Sequence, residues 1–302
     1  MTVTDPATHL IHVAAEFSGL AQPTLDLALP TWTPGTYSVE NYARNVLRFT
    51  ITGAAGHPAP FTRVRKQTWR VDTRGLDRVR VTFDYLADRP GLDQAELDST
   101  SGFITGTQLF LEPVGHRARP STVRFELPVG WKVMSPLAQT SDSLLFRAAN
   151  YDVLVDAPAQ LGRFDVARFE VLGKPHYLVV QPSGALPEDS ARKYFHLWNV
   201  KRIRPAEMWP YDYSRERESP LLWFSEGVSN YYANLSLFRS GIEAPVPFLN
   251  VLGDGVGYVE EVEARRYISP ADASVSSWLG YDPPPVFFFN YYAAGQTLGV
   301  LL

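Results

Sequence analysis

The sequence predicts an α+β protein, with an antiparallel β-sandwich over residues 1–166 and a mainly helical half over residues 167–302. Three observations carry that expectation. From His9 to about Val166, apolar and polar residues alternate with period two in short segments punctuated by Gly, Pro and Asp, the pattern of half-buried antiparallel strands. Beyond Val180 the alternation gives way to helix-type sequence. A composition of 45% apolar and 13% aromatic residues over 302 positions is enough to fill two cores.

The strand segments, in order, are HLIHVAAEF from His9, TLDLALP from Thr24, VLRFTITGAA from Val46, RVRVTFDYLA from Arg78, GTQLFLEPV from Gly106, STVRFELPVG from Ser121 and SLLFRAANYDVLVD from Ser143. FEVLGKPHYLVV from Phe169 reads as a hairpin turning through Gly173-Lys174-Pro175. Pro182 to Asp189 is a loop, followed by helices over Ser190–Val200, Pro220–Phe238, Pro247 to about Gly253, and Tyr291–Leu302. The run GYDPPPVFFFN from Gly280 to Asn290 is an extended connection, because three consecutive prolines cannot sit inside a helix.

Charge and composition exclude several function classes. A net charge of -4 and a pI near 5.9 give no electrostatic attraction to nucleic acid or an anionic membrane. The basic cluster Lys201, Arg202 and Arg204 reads as a solvated or salt-bridged face. With no cysteine, disulfides and thiolate metal sites are excluded, so any metal would need His and carboxylate ligands. The opening MTVTDPATHLIHVAAEF is not a secretory leader and no run reaches transmembrane length, so a cytoplasmic protein is expected.

The chemistry concentrates between Lys193 and Leu235, KYFHLWNVKRIRPAEMWPYDYSRERESPLLWFSEGVSNYYANL. Two histidines at i and i+4 on one helical face can both reach a zinc ion at roughly 2.0–2.1 Å, and a Glu directly after the first can activate its water. Read in that H-E-x-x-H register, Arg192 stands at the first ligand position, Lys193 at the general-base position and His196 at the second ligand position. A third ligand would come from a later helix. Ser219 followed by Pro220 marks the start of one, with Ser219 as N-cap, and Glu226 lies on it.

These segments resemble the glycyl aminopeptidases, zinc metallopeptidases with a thermolysin-like catalytic domain. That family carries H-E-Y-F-H-x-W-N-V-K-R-I-R-P and then L-L-W-F-x-E-G-x-x-x-Y-Y, and the chain follows this pattern from Tyr194 to Tyr232. The likeness extends to LPTWTPGTYSVENYARNV from Leu29 to Val46, to LDQAELDSTSGFITGTQLFL from Leu92 to Leu111, and to NYYAAG around Tyr291 and Tyr292. It implies an N-terminal β domain, zinc held by His196 and Glu226 as residual ligands, and removal of N-terminal residues, glycine above all, from peptides. The chain departs from the pattern at Arg192 and Lys193. It also departs after Val180, where QPSGALPEDSA replaces a longer segment holding the family's cleft strand, and at its end, where no PDZ-like domain follows. The resemblance therefore implies an internally deleted and truncated peptidase domain, impaired in catalysis, with weak or no zinc and with exposed apolar surface.

Tyr291 and Tyr292 are oxyanion-stabilising candidates through phenolic O–H donation, with core packing as the competing reading. Arg192 can replace the metal's positive charge as counter-ion to Glu226. His176 is a remote substitute ligand. WTPGTY, from Trp32 to Tyr37, reads as core and turn chemistry rather than a ligand loop, and GDGVG at Gly253 to Gly257 lacks the lysine of a phosphate loop. A non-catalytic peptide-binding or scaffold protein, and a remnant without selected function, are the alternatives to a peptidase.

Overall fold

In the strand Arg78–Leu86, Val79, Val81, Phe83 and Tyr85 point inward and are buried, while Arg78 and Arg80 are exposed, as period-two alternation requires. The structure is a computed structural model that describes residues 1–53, 56–91, 93–180, 199–200, 202–279 and 288–302. By its internal contacts the chain divides into two units. One comprises Met1–Thr36 and Glu40–Gly184, the other Tyr37–Val39 and Ala185–Leu302.

The first unit is built of antiparallel sheets. Arg78–Leu86 is the centre of one, between Leu10–Ser18 and Val46–Thr52. A four-stranded sheet orders Phe61–Arg65, Thr68–Asp72, Thr24–Ala28 and Glu112–Pro113. These two sheets meet face to face through Phe49, which stacks on Trp69 at 4.4 Å between ring centroids and on Phe83 at 5.9 Å. Among the described residues the unit holds three further sheets: a four-stranded one ordering Lys132–Met134, Ala159–Gly162, Ser101–Ile104 and Glu96–Leu97, a three-stranded one ordering Ser121–Arg124, Leu145–Ala148 and Ala138–Gln139, and a two-stranded hairpin.

Two expected strands contain helices. GTQLFLEPV begins as the short helix α1 (Gly106–Leu109), because Thr105 and Gln108 form a reciprocal capping box. A side chain at Gly106 would collide with the Leu154 and Val155 carbonyl oxygens, each 2.6 Å from an added Cβ. The end of SLLFRAANYDVLVD is helix α2 (Tyr151–Val155), nucleated by Asn150, whose side chain accepts the Val153 N–H at 2.9 Å. The hairpin pairs Asp165–Val171 with Lys174–Val180, so its turn is Leu172-Gly173 rather than Gly173-Lys174-Pro175. Both turn residues take positive φ, 50° and 70°, as a type I′ turn demands, and Pro175 lies within the strand.

The second unit is helical. A π-helical turn (Trp223–Val228) runs into α3 (Ser229–Arg239), followed by α4 (Pro245–Glu261), α5 (Pro270–Val275) and α6 (Tyr291–Leu301). Helix α4 runs well past Gly253, where the sequence suggested a stop. GDGVG reads locally as a breaker, yet α4 packs on α6, and that packing outweighs the low helix propensity of its glycines. Arg204 of the basic cluster lies over the rings of Trp209 and Tyr211, at 4.7 and 5.4 Å. The helix expected over Ser190–Val200 falls outside the described residues up to residue 198, as do Lys201, the loop from Pro182 to Asp189 and most of the connection from Gly280 to Asn290. Among the described residues no helix is long and apolar enough to cross a membrane.

Candidate functional site

Glu226 sits in the π-helical turn, where one residue per turn is added to α-helical spacing, a feature that often marks functional positions. Two glycines set its surroundings. A Cβ on Gly227 would lie 2.5 Å from the Gly295 Cα and 2.6 Å from the Tyr292 carbonyl oxygen, so α6 rests backbone against backbone on the turn. Asn290 caps α6, its side-chain oxygen accepting the Tyr292 N–H at 2.9 Å. Tyr291 and Tyr292 therefore open α6 beside the turn, with ring centroids 4.6 Å apart and Tyr291 buried.

One side chain that meets Glu226 comes from far away in the sequence. Tyr37 donates its phenolic O–H to Glu226 Oε1 at 2.7 Å, with both residues almost fully enclosed at 3% and 4% exposure. Burial pushes the Tyr37 phenol well above its ordinary range; the Glu226 charge and hydrogen bond, and then Tyr292 and Tyr291, push it further in the same direction. Trp278 closes the other side, edge-on to Tyr37 at 5.9 Å.

Asn199 is held against the same turn. Its buried amide donates to Ser229 Oγ at 2.9 Å and to the Ser225 carbonyl at 3.3 Å, and Ser229 Oγ donates to the Ser225 carbonyl at 2.6 Å. Ser219, the expected N-cap, accepts the Leu221 N–H at 3.1 Å and donates to Glu207 at 2.6 Å. It thus buttresses the approach to the π-helical turn rather than capping it, since Leu222 stands at the cap position and makes no side-chain cap hydrogen bond.

Among the predicted site residues the structure thus brings Glu226, Tyr291 and Tyr292 together. Arg192, Lys193 and His196 lie outside the described residues. His176 stacks on Phe169 in the hairpin, rings 5.4 Å apart. Tyr37 and Asn199 are the residues that sequence reasoning missed. WTPGTY had the aromatic and Pro-Gly signal of a ligand loop, but nothing local tied it to Glu226, 189 positions away.

Among the described residues, a zinc ion finds little to hold it here. One Glu226 oxygen accepts from Tyr37, and the neighbouring polar groups are phenols, which are protonated at neutral pH and are not members of the His, Cys and carboxylate set that zinc selects. Among the described residues there is no group of three or more His, Cys, Asp or Glu that could hold a metal. The described donors do not fit zinc.

The chain is similar to solved structures of aminopeptidases. An aminopeptidase N family protein from Idiomarina loihiensis superposes with a TM-score of 0.88 at 22% identity, covering 98% of this chain and 64% of that one, which shows a shared fold. Yeast LTA4 hydrolase, in complex with bestatin, is a more distant likeness, with a TM-score of 0.42 at 12% identity over 98% of this chain and 56% of that one, and carries no argument. The chain thus spans less than two thirds of the length of these structures. No curated protein matches it. The family model of the peptidase M61 N-terminal domain matches residues 1–163, and that of M61 glycyl aminopeptidase matches residues 190–298. On these two matches, which together span most of its length, the chain belongs to the M61 glycyl aminopeptidase family.

Proposed function

We propose that this chain keeps the peptide-binding framework of a glycyl aminopeptidase but does not hydrolyse peptides by the family's zinc chemistry. The observation that carries the reading is in the sequence, which places Arg192 at the first ligand position and Lys193 at the base position. An ammonium cannot take a proton from water at neutral pH. The Tyr37–Glu226 hydrogen bond supports the carboxylate through Oε1. His196 and Glu226 alone hold zinc weakly or not at all.

A buried carboxylate needs hydrogen bonds and a counter-charge. Tyr37 supplies a hydrogen bond, and in this reading Arg192 supplies the charge. In the expected helix Arg192 lies one turn from His196, on the same face, whereas Lys193 is rotated by about 100°. Tyr291 and Tyr292 then serve as O–H donors to a bound peptide carbonyl, in a cytoplasmic protein that binds peptides.

The test is metal analysis of the purified protein after dialysis against a weak chelator, together with hydrolysis of a glycyl anilide with and without chelator. Substoichiometric zinc and no chelator-sensitive turnover are expected. One tightly held zinc per chain with chelator-sensitive hydrolysis would overturn the reading. Calorimetric titration with glycine-led peptides in metal-free buffer then reports on the non-catalytic binding role.

A further inference from the structure

The hairpin Asp165–Val171/Lys174–Val180 forms a two-stranded sheet of its own, and no third strand pairs with it among the described residues. Every residue of Asp165–Val171 is exposed, including Val166, Phe169 and Val171, and Leu172 at the turn is 97% exposed. A lone two-stranded hairpin is marginal in water, and an unpaired strand edge is a template for another strand.

The two edges are not equivalent. In a type I′ hairpin the pair flanking the turn, here Val171 and Lys174, is hydrogen-bonded, so Phe169 and Ala167 also bond inward. The backbone N–H and C=O groups of Val166, Arg168 and Glu170 then face away from the partner strand. On the other edge the outward position nearest the turn is Pro175, which has no N–H to give. The Lys174–Val180 edge is thereby blunted, whereas Asp165–Val171 contains no proline.

The open edge is also self-complementary. If a second copy of Asp165–Val171 is laid antiparallel about a two-fold axis through Phe169, Arg168 falls opposite Glu170 of the second copy and Glu170 opposite its Arg168. Ala167 then faces Val171, Val166 faces Leu172, and the two Phe169 rings meet at the axis. Within one chain Arg168 Nη2 and Glu170 Oε1 are 3.6 Å apart and both are well exposed, so they are available for the exchange. A one-residue slip would move the axis off Phe169 and break both opposite-charge pairs.

We propose that the Asp165–Val171 edge is the isologous interface of a homodimer, in which two hairpins join into a continuous four-stranded antiparallel sheet. Sedimentation equilibrium of the full chain should show a concentration-dependent monomer–dimer equilibrium. Arg168→Glu creates two like-charge pairs and should weaken association by about tenfold or more, while the double change Arg168→Glu with Glu170→Arg should restore it. The restoration separates loss of the interface from misfolding. Because the chain has no cysteine, Phe169→Cys is a clean reporter. The non-hydrogen-bonded pair at the axis has Cα atoms about 4.5 Å apart, within disulfide reach, so mild oxidation should give a covalent dimer faster than Val129→Cys, whose parent side chain is 95% exposed elsewhere in the unit. A monomer at every concentration, a dimer indifferent to Arg168→Glu, or cross-linking of Phe169→Cys no faster than that of Val129→Cys would overturn the proposal.

Discussion

Gly295 approaches Trp223 so closely that a methyl group on its Cα would stand 1.8 Å from the Trp223 carbonyl oxygen. With Gly227 opposite, this contact fixes how far Tyr291 and Tyr292 stand from Glu226. The site is set by backbone proximity, and any side chain at either position must push the two helices apart.

Gly295→Ala should therefore destabilise the second unit by more than about 3 kcal/mol, at the severe end of overpacking costs. Gly257→Ala should act oppositely. It lies in α4 with nothing within 4 Å of an added Cβ, so removing a helical glycine should stabilise by roughly 0.5–1 kcal/mol. Guanidinium unfolding followed by tryptophan fluorescence measures both, and equal effects would contradict the packing account.

Tyr37→Phe removes the O–H that serves a buried carboxylate and should cost about 1–3 kcal/mol. Glu226→Gln in the Phe background should then cost less than it does alone. A double-mutant cycle reads the coupling, for which about 0.5–3 kcal/mol is expected. Strict additivity would show that the two side chains do not depend on each other.

Alkaline pH should unfold the chain early. Burial raises the phenols of Tyr37, Tyr42 and Tyr151, and raises that of Tyr85 to about 12. A phenol raised in the folded state releases its proton more readily when unfolded, so the stability it lends is complete below about pH 10 and declines as pH climbs toward the folded values. Melting temperature should fall steeply above about pH 10, and tyrosinate absorbance from these residues should appear with unfolding rather than before it.

Arg192→His combined with Lys193→Glu should restore zinc binding, read by calorimetry, more fully than turnover of a glycyl anilide. Ligands can be rebuilt by substitution, whereas the cleft segment that the family resemblance implies after Val180 cannot. Adding Tyr37→Phe should weaken zinc by about tenfold or more, because the phenol orients the Glu226 carboxylate from behind. Unchanged zinc affinity in the triple variant would show that the phenol does not position that carboxylate.

Sequence made the first unit's alternating strands legible through period two, a local signal, and the helix at Tyr291 legible through the resemblance of NYYAAG to the family pattern. The capping box Thr105–Gln108 was equally local but lay inside a segment whose apolar content resembled a strand. Helix α4 was cut short on paper because glycine propensity is read without knowing that α6 lies across Gly255. Glu226 could be picked out by family spacing. Its partner Tyr37 could not, since no periodicity or composition links positions 189 residues apart.

That separation governs the order of folding. Tyr37–Val39 belongs to the second unit although the rest of that unit begins at Ala185. Bringing Tyr37 to Glu226 closes a loop of 189 residues, at an entropic cost of about 4–5 kcal/mol beyond the constant term. Loop-closure cost alone therefore predicts that the Tyr37–Val39 strap docks after the intervening strands have condensed and shortened the effective loop. On the ribosome, Tyr37 emerges long before the carboxylate it will serve. A fragment beginning at residue 185 would carry Glu226 without its phenol, so dissecting the chain at that point yields a helical half that is incomplete at a buried charge.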